Sequence, residues 1–251
     1  MYNVFMEAIT PYRNEHFLRN DEISMLIPVF RAFDRCPESS NLSKFFTGRP
    51  AKIYPKHSIV LEQGEANANV FFIIRGLLEY VNTNENGSKS ILGILGPGDM
   101  FNMQPVYCKA PLIGSFSTLI ECSITSVGCH ELSGMMERDH KLALEMITEM
   151  AFVIARINSQ MSIIRESPDI RTMRVLHMMA MTHLLIYKEK EPVKIPLSQS
   201  DLARIVKTTR YTVSKILTEM KALGILETYY GGMSIKNFTL LKQLVKAHTP
   251  S

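Results

Sequence analysis

Arg210, Tyr211, Ser214 and Lys215 are the side chains whose types and spacing best suit chemistry. On a helix they share one face near its start, offering a guanidinium, a phenol, a hydroxyl and an ammonium group. Such a face can reach base edges and phosphates of a nucleic acid. Thr209, immediately before it, has a hydroxyl able to cap that helix. Catalysis leaves no comparable signature: the sequence has no nucleophile with a placed base, no phosphate-binding glycine loop and no motif of paired carboxylates. The seven histidines, His16, His57, His130, His140, His177, His183 and His248, are scattered without metal-holding spacings. No catalytic residue, metal or cofactor is therefore expected.

The elements that must position this face are legible in IPLSQSDLARIVKTTRYTVSKILTEMKALGIL. Ser198 precedes Asp201 by three positions, a capping box with Asp in place of Glu, and Leu202, Ile205 and Val206 give a short amphipathic helix. A second helix starts near Thr209, with Val213, Ile216, Leu217 and Met220 as its buried face. Ala203 is small where two helices would cross, and Gly224 suits the end of the second. The segment opens with the helical pattern IRTMRVLHMMAMTHLLIY and closes on strand-like LETYY and MSIKNF around Gly231-Gly232, a hairpin fit to be a wing.

Ahead of this unit, HKLALEMITEMAFVIARINSQMSIIR (140–165) has neither Gly nor Pro, with Pro168 beyond as a stop. Ile147, Met150, Ile154, Ile157, Met161 and Ile164 recur at alternating spacings of three and four. So narrow a seam favours a partner helix, which predicts a homodimer, while Phe152 and Val153 lie off the seam to pack on the chain's own body.

From 42 to 134, short β-type runs alternate with glycine turns at Gly64, Gly76, Asn86-Gly87 and Pro97-Gly98-Asp99. Asn86-Gly87 predicts a tight hairpin with both residues at positive φ. Many short strands with regular turns predict an antiparallel β-roll, like a jelly roll or double-stranded β-helix. The fold class is therefore α+β, in four parts: an N-terminal extension (1–41), a β-roll (42–134), a dimerisation helix (135–166) and a winged helix-turn-helix (167–251).

Charge divides along the same lines. Residues 167–251 carry 13 Lys and Arg against 6 Asp and Glu, whereas residues 1–166 carry 15 against 18. A basic end on a near-neutral body suits a polyanion, because neutralising phosphates releases counterions. The sequence shows no apolar run of about 18 residues and no signal-peptide start, so a cytoplasmic location away from membranes is expected. Cys36, Cys108, Cys122 and Cys129 form no C-x-x-C pair and are expected as reduced thiols.

Thr209-Arg210-Tyr211-Thr212-Val213-Ser214-Lys215-Ile216-Leu217 resembles the recognition helix S-R-x-T-V-x-R-I-L of the cyclic-AMP receptor protein and fumarate-nitrate regulator (CRP/FNR) family. The resemblance extends over roughly 42–240, through Gly64-Glu65, Val70-Phe71-Phe72-Ile73-Ile74-Arg75-Gly76 and Gly96-Pro97-Gly98-Asp99. It implies a homodimeric transcription regulator on double-stranded DNA with a near-palindromic operator, and RNA polymerase as a partner if the chain activates. It also implies an effector in the β-roll that reorients the DNA-binding domains through the long helices.

The departures matter. Tyr211 stands where the family commonly has Glu, so the preferred operator differs at that base pair. Lys207 stands where the turn usually has Gly, at a cost of about 1 kcal/mol if left-handed. Members that bind cyclic AMP present Gly-Glu and Arg-Ser pairs to the ribose and phosphate; this chain has Asn102-Met103 and Leu112-Ile113 there. A buried phosphate without a cation would be uncompensated, which argues against cyclic nucleotides. Cys36 alone in the first hundred residues fails the ligand count for an iron-sulfur cluster. The aligned lining, Phe101, Asn102, Met103, Leu112 and Ile113 with Ile157 and Asn158 from the helix, predicts a small apolar or aromatic effector. The alternatives are an effector-free regulator of the same fold, controlled by thiol oxidation or by haem on one histidine, and a β-roll enzyme.

Overall fold

The computed structural model describes residues 41–163, 166–185 and 191–248. A helix, α1 (Asn41–Thr47), leads into β1 (Lys52–Tyr54), β2 (Ile59–Leu61), β3 (Asn69–Arg75), β4 (Leu78–Thr83), β5 (Lys89–Leu95) and β6 (Met100–Phe101). A short helix, α2 (Met103–Cys108), then precedes β7 (Ser115–Thr118) and β8 (Cys122–Gly128). The strands form two antiparallel four-stranded sheets, ordered β1-β8-β3-β6 and β2-β7-β4-β5. This is the expected β-roll and α+β class.

Strand alternation explains why both sheets can be buried on two sides. In β3, Phe71 and Ile73 turn into the roll beside Leu78, Phe101, Phe116 and Ile124. Val70 and Phe72 turn outward, onto Leu42 and Phe46 of α1, Leu132 of α3 (Cys129–Arg138), and Leu142 and Met146 of α4 (His140–Ile163). In β4 and β7, Leu78, Tyr80 and Phe116 face the roll interior. Leu77, Leu119 and Ile94 of β5 instead join the core of the C-terminal domain.

Two local expectations change. Strands occupy only Lys52–Gly128 of the 42–134 segment, which α1 and α3 flank as helices. Of Asn86-Gly87, only Gly87 has positive φ, at 78°. Its N–H donates to Asn84 O at 2.8 Å and Asn84 N–H to Ser88 O at 2.9 Å, closing a loop one residue longer than the tightest hairpin. Only its last residue then has to be left-handed.

The long helix packs on the roll through Leu142 and Met146, while Ile147 and Ile154 on its seam are 65% and 61% exposed. Met150 is half-buried. The side chains of Phe152, Ile157 and Met161, and the whole of Ile164, lie outside the described residues. The C-terminal domain comprises α5 (Pro168–Leu185), β9 (Val193–Ile195), α6 (Gln199–Ile205), α7 (Arg210–Ala222), β10 (Leu226–Tyr229), β11 (Gly232–Ile235) and α8 (Phe238–Ala247). Pro168 begins α5, where a missing N–H costs nothing. The strand-like ending MSIKNF stops at Ile235; Asn237 then caps α8 by accepting from Leu240 N–H at 2.9 Å, and Leu241 and Val245 bury one face. No helix of the described residues is long and apolar enough to cross a membrane.

Candidate nucleic-acid interface

The two short helices form as their sequence spacing dictates. Ser198 Oγ accepts from Asp201 N–H at 3.1 Å while the Asp201 carboxylate accepts from Ser198 N–H at 3.2 Å, so α6 opens on a complete capping box. Lys207 is left-handed, with φ 51°. Thr209 Oγ1 accepts from Thr212 N–H at 3.1 Å and caps α7. Val213, Ile216, Leu217 and Met220 are buried in the domain core with Leu202 and Ala203.

That burial turns the other face of α7 to solvent. Arg210 and Lys215 are exposed, Tyr211 is 82% exposed, and Ser214 is half-buried at the margin. Beside them β10, Tyr230-Gly231 and β11 make the wing, and β9 completes a three-stranded antiparallel sheet. A cationic helix face next to a hairpin with an exposed tip is an arrangement that suits entry of a helix into a DNA major groove.

The back of this unit rests on the β-roll through charges that the sequence did not announce. Arg204 Nη2 lies 3.0 Å from Glu79 Oε2 and 3.4 Å from Asp201 Oδ1. Lys56 Nζ lies 3.7 Å from Asp201 Oδ2 and donates to Pro196 O at 3.4 Å. Glu79 is buried and accepts a hydrogen bond from Ser117 Oγ at 3.1 Å. Nothing in local sequence spacing marks residues so far apart as partners.

The expected effector residues separate. Phe101 and Leu112 share the roll interior. Ring centroids there run from Phe71 to Phe101 at 5.1 Å, Phe101 to Phe116 at 4.6 Å and Phe116 to Tyr80 at 4.3 Å. Asn102 is buried and left-handed, its amide donating to Asn67 O at 2.9 Å and Asn69 O at 2.8 Å. Its Oδ1 has no hydrogen-bond partner among the described residues. Met103 packs instead with the cluster around Phe46, and Ile113 is exposed. The side chains of Ile157 and Asn158 lie outside the described residues. Among the thiols, Cys108 is exposed and Cys129 half-buried. Burial pushes the Cys122 thiol up to about 12, and Cys36 lies outside the described residues. The described residues contain no cluster of His, Cys, Asp or Glu fit to hold a metal ion.

Residues 51–139 match the model of the cyclic nucleotide-binding domain, and residues 171–244 that of the Crp-like helix-turn-helix domain. The chain is 23% identical over 173 residues to the CRP-like cAMP-activated global transcriptional regulator of Mycobacterium tuberculosis, covering 68% of this chain and 77% of that protein. It is 20% identical over 204 residues to the cAMP-activated global transcriptional regulator Vfr of Pseudomonas aeruginosa, covering 77% and 92%. Among solved structures, FixK2 from Bradyrhizobium japonicum superposes with a TM-score of 0.61 at 18% identity, over 78% of this chain and 96% of that one. A β-roll, a long helix and a winged helix-turn-helix in this order, with both domain models matched, make this chain a DNA-binding transcription regulator of the CRP/FNR family.

Proposed function

We propose that the chain acts as a homodimer joined along α4 and binds a near-palindromic operator, with Arg210, Tyr211, Ser214 and Lys215 in the major groove and Thr209 beside the phosphates. The observation that carries this is the apolar stripe of Leu144, Ile147 and Ile154, each exposed on one helix whose other face is already packed on the roll. A partner helix removes that stripe from water. A two-fold dimer then presents two recognition helices to half-sites about one helical turn apart. DNase footprinting of the wild-type protein on a selected operator tests this: the protection is expected to be two-fold symmetric, and a single unrepeated half-site would overturn it.

Control by a small apolar or aromatic effector in the β-roll forms the second part of the proposal. The roll interior around Phe101 and Leu112 is aromatic, and the buried Asn102 Oδ1 has no donor among the described residues, which leaves it able to accept from a ligand. Sheet β2-β7-β4-β5 separates that interior from the DNA-binding domain, since Tyr80 and Glu79 are neighbours on opposite faces of β4. An effector that displaces Tyr80 or Phe116 therefore shifts the strand that holds Arg204. RNA polymerase is the further partner if the protein activates, and the extension 1–41 lies outside this proposal.

A further inference from the structure

We propose that Arg171 is a positioning residue for DNA recognition, whose guanidinium fastens the segment following the long helix to the turn of the helix-turn-helix. Each of its three nitrogens donates to a backbone carbonyl. Nη1 donates to Glu166 O at 2.7 Å, Nε to Val206 O at 2.9 Å and Nη2 to Lys207 O at 3.2 Å. Glu166 is itself held, because its carboxylate accepts from Arg174 Nε and Nη2, both at 2.9 Å. Arg174 is buried, so this pair is not a mobile surface contact.

The two carbonyls at the other end belong to the turn between α6 and the recognition helix. Val206 ends α6, and Lys207 makes the left-handed turn two residues ahead of the Thr209 cap. Carbonyls at a helix C-terminus lack intrahelical partners, and a cation there also suits the helix dipole. Lysine could not replace the arrangement, since one ammonium cannot present three donors in a fixed fork. By holding both carbonyls, Arg171 fixes the angle at which α7 leaves α6, and so where Arg210 and Lys215 point. It also ties the chain from Glu166 onward to the turn, so a movement that reaches Glu166 is passed on to the recognition helix.

The proposal rests on α7 being the DNA-contacting helix, and the experiment separates the two. Operator affinity and its salt dependence are measured for the full-length wild type, Arg171→Ala, Arg171→Lys and Arg210→Ala, at a temperature where circular dichroism shows each folded. Arg171→Ala is expected to lose operator affinity by roughly ten- to a hundredfold, with the salt slope unchanged because no phosphate contact is lost. Arg171→Lys, which keeps the charge without the fork, is expected to fall between. Folded Arg171→Ala binding as wild type overturns the proposal, as does a loss accompanied by a slope reduced by about one unit, the mark of a phosphate contact. Should Arg171→Ala not fold, wild-type affinity in Arg171→Lys overturns it, and reduced affinity supports it. Arg210→Ala without effect would remove the recognition-helix assignment, whatever Arg171 does.

Discussion

Glu79 of the β-roll and Arg204 of the helix-turn-helix form an ion pair at 3.0 Å across the boundary between the two domains. With Asp201 and Lys56 it makes an alternating row of charges, beside the apolar contact of Leu77, Ile94 and Leu119 with the DNA-binding domain core. The apolar contact supplies attraction without direction; the charges fix the position in which the domain docks.

Replacing Glu79 by Gln tests that docking. Arg204 is about half exposed, so solvent screens the pair and the loss is expected at about 1–2 kcal/mol, below that of a fully buried pair. Urea unfolding at low and high salt measures it. The deficit is expected to shrink as salt rises, since the wild-type pair is then screened too; equal stability of the two proteins at low salt would deny the pair any part in docking.

Ile154→Lys places an ammonium on the exposed seam of α4, where a symmetry mate would bury it. Sedimentation is expected to give the mass of one chain and the protein to lose specific DNA affinity while keeping its circular dichroism. Wild-type protein that sediments as a single chain even with operator bound would remove the seam as an interface.

Arg210 is free to be bidentate to a guanine, a contact of about 1–3 kcal/mol. Arg210→Ala should therefore relax preference at one base pair of each half-site in a selection from random duplexes. Unchanged selectivity would show that the α7 face reads sequence through other residues.

For the effector, calorimetry with phenolic and aromatic acids and with cyclic AMP, run beside operator binding, is the direct comparison. An aromatic acid is expected to bind and to change operator affinity, because only a ligand preferring one arrangement shifts the equilibrium. Micromolar cyclic AMP binding that strengthens DNA affinity would replace this effector class with the nucleotide.

The thiols give a pH test. Burial raises Cys122 to about 12, so between its unfolded value near 8.5 and about 12 the folded state holds a proton that the unfolded chain releases. Stability from this group is complete below that window and declines as pH rises through it. At pH 8, mass spectrometry after maleimide treatment should show Cys108 modified and Cys122 untouched until urea unfolds the protein; rapid modification of native Cys122 would contradict its burial.

The sequence by itself determined what lies within a few residues. The Ser198–Asp201 capping box, the Thr209 cap and the buried face of α7 follow from spacing along one segment, because helix caps and faces repeat with the backbone's own period, whereas Lys207 stood out only through the family resemblance and its left-handed φ came from the structure. The α8 helix did not stand out behind the β-rich wing before it, although Asn237, Leu241 and Val245 hold its cap and buried face. Tertiary structure alone decided the pairing of Glu79 with Arg204 and of Lys56 with Asp201, the hold of Arg171 on the turn, and the separation of Met103 and Ile113 from Phe101. Those partners sit far apart in the chain or, for Phe101, Met103 and Ile113, on a strand, a helix and the loop that follows it. Which of them meet is set by how two sheets and a helical domain close their apolar surfaces, a packing that no local period records.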